Sequence, residues 1–367
     1  MSAIRRPHAP PSAGRTKAPT VPVARRDGPW VLSVAPMMDW TDRHCRFFHR
    51  LLSPHARLYT EMVTAAALVH GDRLHLLEHN QQEHPVALQL GGSVPADLAQ
   101  AARYGAEAGY DEINLNVGCP SDRVQSGRFG ACLMLEPALV ADCVRSMREA
   151  VALPVTVKCR IGVDDQDSEA GLHEFTQRML DAGVQVLVVH ARKAWLNGLS
   201  PKENREVPPL DYDRVYRLKQ AFPELSVIIN GGISSVDAVL AHLQHVDGVM
   251  LGRSVYQHPW ILAELEQCLW GSSVPSRIEV LRQMRPYIEA ELARGGKLKH
   301  VVRHVLGLFH GQPGARSFRR VLSEGSHLED AGWALVDQAI AALGPATREA
   351  ASTPVQHEFK AVLHHGG

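Results

Sequence analysis

Cys119 stands in Gly118-Cys119-Pro120, directly after a run in which Ile113, Leu115 and Val117 alternate with Asn114 and Asn116. That alternation is strand periodicity. Proline and glycine end it, because proline lacks the amide that a ladder requires and glycine accepts backbone angles that other residues avoid. A thiol is thereby placed at the C-terminal mouth of a strand. The competing reading is a small buried packing residue, since most free cysteines are that and reactive ones need a polar, accessible setting. An accessible thiol with a free pKa of about 8.5 stays mostly protonated at neutral pH, so it can donate a proton where a carboxylate would already have lost its own. Lys158 and His190 end two neighbouring runs, on the phase opposite Val155, Val157 and Cys159. Both can point at one ligand, and Lys158 alone could serve as a Schiff-base lysine. Asn230-Gly231-Gly232 and Gly252-Arg253 end two more runs, and their glycines let backbone amides approach an anion.

The elements that must position these residues alternate along the chain. Strand patterns occur at 31–36, 57–61, 85–90, 112–116, 154–159, 184–190, 225–230 and 247–252, and between them lie helical patterns such as Ala96 to Ala108, Pro137 to Val151, Ser168 to Ala182, Asp211 to Ala221 and Ser235 to Gln244. Eight such units predict a (β/α)8 TIM barrel, which builds its active site at the strands' C-terminal ends and binds phosphate after strands seven and eight. Helix N-termini reinforce such a phosphate corner. The strand ends read Met37 and Met38, Glu61, Gln89, Asn116, Lys158 with Arg160, His190, Asn230, and Gly252 with Arg253. A doubly wound open sheet is the runner-up, but it would carry a glycine fingerprint after its first strand. That place holds APMMDWTD.

Composition narrows the class. No apolar run approaches the roughly 18 residues of a membrane span, and the six cysteines form no CxxC pair, which predicts a soluble, cytoplasmic protein without a zinc site or disulfide framework. Lysine plus arginine equals aspartate plus glutamate at 39 each, so an anionic partner must be met by a local patch. Residues 1–28 hold seven Arg, Lys and His side chains among prolines, with Asp27 the only acid, and read as a disordered basic tail. The barrel is expected over 29–262, a small all-helical domain over 263–344 and a loose tail over 345–367. Helices are expected at Pro275 to Arg294, Lys297 to Phe309, Gly314 to Glu324 and Ala331 to Leu343. From Pro275 to Asp330 ten Lys and Arg face six Asp and Glu. This local excess, with His300, His304 and Phe318, suggests a phosphate-binding surface.

APMMDWTDRHCR, ALQLGG, INLNVGCPSDRVQSGRFGACLM, TVKCRIGVDD, VHARKAWLNGLSPKENREVPPLDY, INGGI, GVMLGR and GLFHGQPGAR resemble the tRNA-dihydrouridine synthases of the A subfamily, from about Leu32 to Ser326. The resemblance implies an FMN enzyme that takes hydride from NADPH and reduces the C5-C6 double bond of a uridine in the tRNA D-loop, at positions 20 and 20a. It implies Cys119 as proton donor to C5. Pro36, Met37 and Met38 would line the flavin, Gln89 would bond its pyrimidine edge, and Lys158 would stabilise its reduced anion. His190, Asn230, Gly231, Gly232, Gly252 and Arg253 would hold its ribityl chain and phosphate. Asn116, Arg192 and Lys193 would meet the substrate uridine and nearby RNA, and Arg303, Arg316, Arg319 and Arg320 the tRNA backbone. Glu61 would brace the floor of the site. Cys132 is the only rival acid, and Cys159 stands where the family commonly has threonine. A dihydroorotate-dehydrogenase-like flavoenzyme acting on a free pyrimidine and a non-catalytic RNA-binding protein are the alternatives. The first would have no need of basic helices, and the second would tolerate loss of the thiol.

Overall fold

The computed structural model describes residues 28–121, 124–125 and 127–351. Its strands are β1 (Leu32–Val34), β2 (Arg57–Thr64), β3 (Val86–Gly91), β4 (Glu112–Val117), β5 (Val155–Arg160), β6 (Val186–His190), β7 (Ser226–Asn230) and β8 (Gly248–Leu251). They pair in parallel and in sequence order, and β1 closes on β8 through Leu32 and Val249, Ser33 and Met250, and Val34 and Leu251. The closed barrel is present and the open sheet is excluded. Strands of this kind are buried on both faces. Outward side chains such as Val155, Val157 and Cys159 join the apolar core under the helices, whereas Ala35, Tyr59, Ala87, Val186, Val188, Ile228 and Met250 form a separate cluster inside the barrel. The two phases therefore separate around the whole ring.

The intervening helices occupy Arg43–Leu52, Pro95–Glu107, Pro137–Ala150, Glu169–Asp181, Tyr212–Ala221 and Val236–His242. Several start where a side-chain oxygen caps the first free amides. Asp42 accepts from the amides of His44 and Cys45, Ser168 from Gly171, Asp211 from Arg214 and Ser235 from Ala238. In β2 the register with β3 shifts between Tyr59 and Met62. A bulge re-aims side chains, and here the Glu61 carboxylate accepts a hydrogen bond from the backbone amide of Asp39. Glu61 thus braces the loop after β1 at the barrel mouth, and the floor beneath the site belongs to Glu112, which accepts from Trp30 Nε1 (2.7 Å) and the Tyr59 hydroxyl (2.8 Å).

Beyond the barrel lie helices at Arg277–Ala293, Leu298–Val302, Ala315–Gly325, Trp333–Ala341 and Pro345–Ala350. Three expectations need correction. The boundary set at 262 falls inside one continuous helix, Trp260–Trp270, whose buried face belongs to the same apolar core as the barrel helices and the C-terminal ones. The single helix expected over 297–309 stops at Val302 and gives way to turns. There Gly307 packs so closely on the barrel end that a Cβ would lie 2.4 Å from the carbonyl oxygen of Gln257. The tail expected to be loose from Pro345 begins as a helix, with proline at a first-turn position where its missing amide costs nothing. Ala351 is buried and its carbonyl accepts from the Ile278 amide. The rest of that tail and the basic segment before Gly28 lie outside the described residues.

The first barrel helix carries the tie between the two parts. Arg43 forms a bidentate pair with Glu291 (2.7 and 2.6 Å), and Phe47 stacks on Tyr287 with ring centroids 4.0 Å apart. On its inner side Arg46 meets Glu83 at 2.6 Å, both side chains buried, and also donates to the carbonyl of Thr41. Removing one member of a buried pair strands the other. Arg46→Met is expected to cost about 3–5 kcal/mol in equilibrium urea denaturation, and a loss below about 1 kcal/mol, the range of an exposed pair, would contradict this account of the helix.

Candidate active site at the barrel mouth

Cys119 leaves β4 on a loop held from below. The amides of Gly118 and Cys119 donate to Asn116 Oδ1 (3.1 and 3.0 Å), and Asn116 Nδ2 donates to Gln89 Oε1 (2.8 Å). From the side Arg160 reaches up from β5. Its Nε donates to the Gly118 carbonyl (2.8 Å) and its Nη1 to the carbonyls of Lys193 and Asn204 (3.0 Å each). One buried guanidinium therefore ties the loops after β4 and β6 together. The Cys119 thiol is half-buried, 3.5 Å from the Ser121 hydroxyl, so it is accessible where a packing cysteine would be sealed. Cys45, Cys143 and Cys159 are sealed, and burial pushes each thiol upward. Cys45 lies 3.6 Å from His49 Nε2, but burial raises the thiol and lowers the imidazole to about 3, so the pair stays neutral. Cys132 is half-buried and donates to the Phe129 carbonyl (3.2 Å), its thiol raised by burial and by Glu136.

Across the mouth, β5 to β8 supply polar and cationic groups. Lys158 Nζ donates to Asn230 Oδ1 (3.2 Å), and Asn230 Nδ2 donates to the Met250 carbonyl (2.7 Å). Burial, then the charge of Arg160, pushes the Lys158 ammonium down to about 8. Burial, with Arg160 and Lys158 beside it, holds the His190 imidazole well below its usual range, so it is neutral at pH 7. Gly231 (φ 119°) and Gly232 (φ 69°) adopt angles that disfavour side chains, and a Cβ on Gly231 would sit 2.6 Å from His190 Cδ2. The two glycines leave a cradle beside the imidazole. Arg253, just past β8, pairs with Glu206 at 2.6 Å.

Two residues expected to meet RNA are engaged by the protein itself. Arg192 turns toward the same corner as Arg253. Its Nη1 donates to the carbonyls of Glu206 and Pro208, and its Nε is buried with no hydrogen-bond partner among the described residues. Lys193 is occupied by Asp167 (3.1 Å), the Asp164 carbonyl (3.2 Å) and the Trp195 ring. Met37 is half-buried and Met38 exposed, on a loop fixed by Thr41, which accepts from the Met37 amide at 2.9 Å. In the helical part Arg303 Nη2 is bonded to Asp42 (2.6 Å), together with His304 Nε2 (3.1 Å). Arg316, Arg319 and Arg320 lie on one face of their helix at three-to-four spacing, and no ion pair engages them among the described residues.

A family model described as Dihydrouridine synthase (Dus) matches residues 33–343, a span that contains both the barrel and the basic helices. The chain belongs to the dihydrouridine synthase family. Its relatives include a protein of Xanthomonas campestris pv. campestris named tRNA-dihydrouridine(20/20a) synthase, 65% identical over 308 residues that cover 84% of this chain and 92% of the relative. A protein of the same name from Vibrio cholerae is 59% identical over 313 residues, covering 84% and 95%. A solved 2-naphthoyl-CoA reductase complex matches with a TM-score of 0.52 at 11% identity, over 65% of this chain and 50% of that one. That likeness concerns the fold alone.

In this dihydrouridine synthase the strand-end reading included Arg160, two residues after Lys158 on the same inward phase, but not the loop carbonyls that it ties together. Glu206 and the exposed Arg205 came with no periodicity at all, being set by the loop after β6. A separate cavity of about 420 Å³, lined by His258, Trp260, Arg277 and His310, contains none of the strand-end groups. Lys158 gives a pH test. Its folded value of about 8 lies below the usual 10.5, so between those limits the unfolded chain holds the extra proton and stability rises with pH. Lys158→Met is therefore expected to melt at higher temperature than the parent at pH 7, with the gap closing as pH climbs from 8 toward 10.5. Thermal melts of the ligand-free protein decide, and a parent at least as stable at pH 7 would refute the burial argument.

Proposed function

We propose that this chain reduces uridine to 5,6-dihydrouridine in tRNA, at positions 20 and 20a of the D-loop, using FMN that NADPH re-reduces. The observation that carries the reading is the half-buried thiol of Cys119, set across the barrel mouth from a cationic, glycine-lined cradle. An accessible thiol on the loop after one strand, with polar and cationic groups at the ends of the strands that follow, suits proton donation to a ring carbon. The residues present fit FMN. The Gly231-Gly232 cradle and Arg253 suit its phosphate, and the orphaned Arg192 Nε, buried beside Glu206, adds a donor in search of an anion. Lys158 at the β5 end and the Gln89 amide suit the polar edge of its ring, with Pro36, Met37 and Met38 as a wall. Bound FMN would supply two electrons as hydride to C6 of the uridine.

The chain's own residues do the rest. Cys119 gives its proton to C5, so that hydride and proton together saturate one double bond, and the thiolate is reprotonated from solvent. Asn116 and Arg160 hold the loop that carries the thiol. His190, neutral at pH 7, offers a hydrogen bond without adding charge. Reaching the base requires extruding it from its stack, and Arg316, Arg319 and Arg320 offer a positive face for the flanking backbone. That unpaired face favours a tRNA substrate over a free pyrimidine. Arg192 and Lys193 contribute by shaping the rim beside the substrate, Arg192 from the phosphate corner and Lys193 through its tie to the loop after β5.

Two outcomes test this reading. Cys119→Ala is expected to retain flavin and tRNA binding while dihydrouridine formation falls by about 100-fold or more, the weight of a general acid. Mass spectrometry of tRNA from cells lacking the native gene, complemented with either form, reads the result, and undiminished dihydrouridine would transfer the role to Cys132 or remove the enzyme reading. Arg319→Ala should weaken tRNA binding and make the plot of log affinity against log salt shallower by about one contact's share, ~0.7–0.9. An unchanged slope would take Arg319 off the phosphate surface.

A further inference from the structure

Asn116 and Gln89, which hold the Cys119 loop, are the upper rungs of a ladder of buried polar side chains descending to the barrel floor. Gln89 Nε2 donates to Asn114 Oδ1 (2.8 Å), Asn114 Nδ2 donates to Thr156 Oγ1 (2.8 Å), and the Thr156 hydroxyl donates to Glu112 Oε1 (2.5 Å). Glu112, Asn114, Thr156 and Gln89 are all sealed from solvent. The rungs come from β3, β4 and β5, whose register sets Gln89 beside Asn114, and Asn114 beside Thr156.

The direction of this ladder has one solution. At the top, the amides of Gly118 and Cys119 can only donate, so Asn116 must present its oxygen to them and its nitrogen to Gln89. Gln89 must then present oxygen upward and nitrogen downward, and Asn114 must do the same. At the bottom, Trp30 Nε1 has no acceptor capacity and Arg57 lies 3.2 Å away as an ion pair, so Glu112 accepts. Thr156 is the only rung whose proton can turn either way, and the carboxylate below turns it downward. An amide free to rotate would present a nitrogen to the Cys119 amide, setting donor against donor.

We infer that Glu112, Thr156 and Asn114 are positioning residues for the reaction: the floor carboxylate, through the Thr156 hydroxyl, fixes which way the Asn114, Gln89 and Asn116 amides face and thereby holds the loop of Cys119. This inference rests on Cys119 as proton donor only for its effect on turnover. The geometric part concerns the protein without any ligand.

The test is Thr156→Val against Thr156→Ser, the first removing the hydroxyl and the second keeping it. In ligand-free protein, the rate at which iodoacetamide alkylates Cys119 is measured by peptide mass spectrometry, with Cys119→Ser as the blank. Thr156→Val is expected to alkylate about fivefold faster, the weight of one net hydrogen bond at the loop, while Thr156→Ser matches the parent within about twofold. In the holoenzyme, Thr156→Val should lower kcat for dihydrouridine formation by about tenfold or more through misplacement of the thiol, with KM for tRNA unchanged and Thr156→Ser again restoring the parent value. Asn114→Leu breaks the ladder one rung higher and replaces Thr156→Val if the latter does not fold. A folded Thr156→Val protein that alkylates at the parental rate, or a Thr156→Ser protein that behaves like it, overturns the inference. Faster alkylation with unchanged turnover sustains the ladder and counts instead against Cys119 as the proton donor.

Discussion

A carboxylate that accepts from every side lies at the bottom of the barrel, and the ladder of side chains that reaches the Cys119 loop ends on it. Glu112 gathers Trp30, Tyr59 and Thr156 as donors and Arg57 as its ion partner. Buried polar groups are costly unless satisfied, so three amide side chains between floor and mouth must form one continuous set of hydrogen bonds. A (β/α)8 barrel usually fills its interior with branched apolar side chains. This one fills the β6, β7 and β8 side that way, with Val186, Val188, Ile228 and Met250, and gives the β3, β4 and β5 side to the ladder. The asymmetry leaves one side of the mouth stiff and precisely oriented.

From the end of β5 round to the start of the helix after β8, the mouth carries charges that oppose one another. Burial and then the charge of Arg160 lower Lys158, and burial, with Arg205 and Arg192 beside it, holds Arg160 down to about 10. Arg192 and Arg205 lie close enough to Arg253 for its charge to depress both, again after burial. Glu206 is the one carboxylate paired into this group among the described residues. Concentrating cations against their own repulsion costs folding stability.

The helical part is bound to this mouth and is more than an appended RNA handle. Asp42 caps the first barrel helix, fixing the loop that carries Met37 and Met38, and the same carboxylate receives Arg303 and His304. Trp40 of that loop stacks on Tyr256, ring centroids 4.3 Å apart. The one apolar core running through both parts makes their relative placement a property of packing. The basic helix and the loop that carries Met37 and Met38 are therefore placed relative to one another by the same packing.

The sequence by itself determined what depends on local pattern. Strand alternation assigned Lys158 and His190 to one phase and separated Asn114 and Asn116 from Ile113, Leu115 and Val117, because a period of two fixes the face once the strand is known. Gly118-Cys119-Pro120 and Asn230-Gly231-Gly232 marked strand ends, because their backbone requirements are intrinsic to the residues. The long ordered motifs carried the family. Only the tertiary structure decided which polar groups became partners. Arg303 lies 261 residues from Asp42 in sequence, Lys158 72 from Asn230 and Arg160 42 from Gly118, and no local period relates such pairs. Arg192 turned to the carbonyls of Glu206 and Pro208 and Lys193 to Asp167 for the same reason. Cys119 itself was legible as a thiol at a strand mouth, but the direction of the hydrogen bonds beneath it was not, since amide orientation is settled by the groups at both ends of the chain of contacts and those ends meet only in the closed barrel.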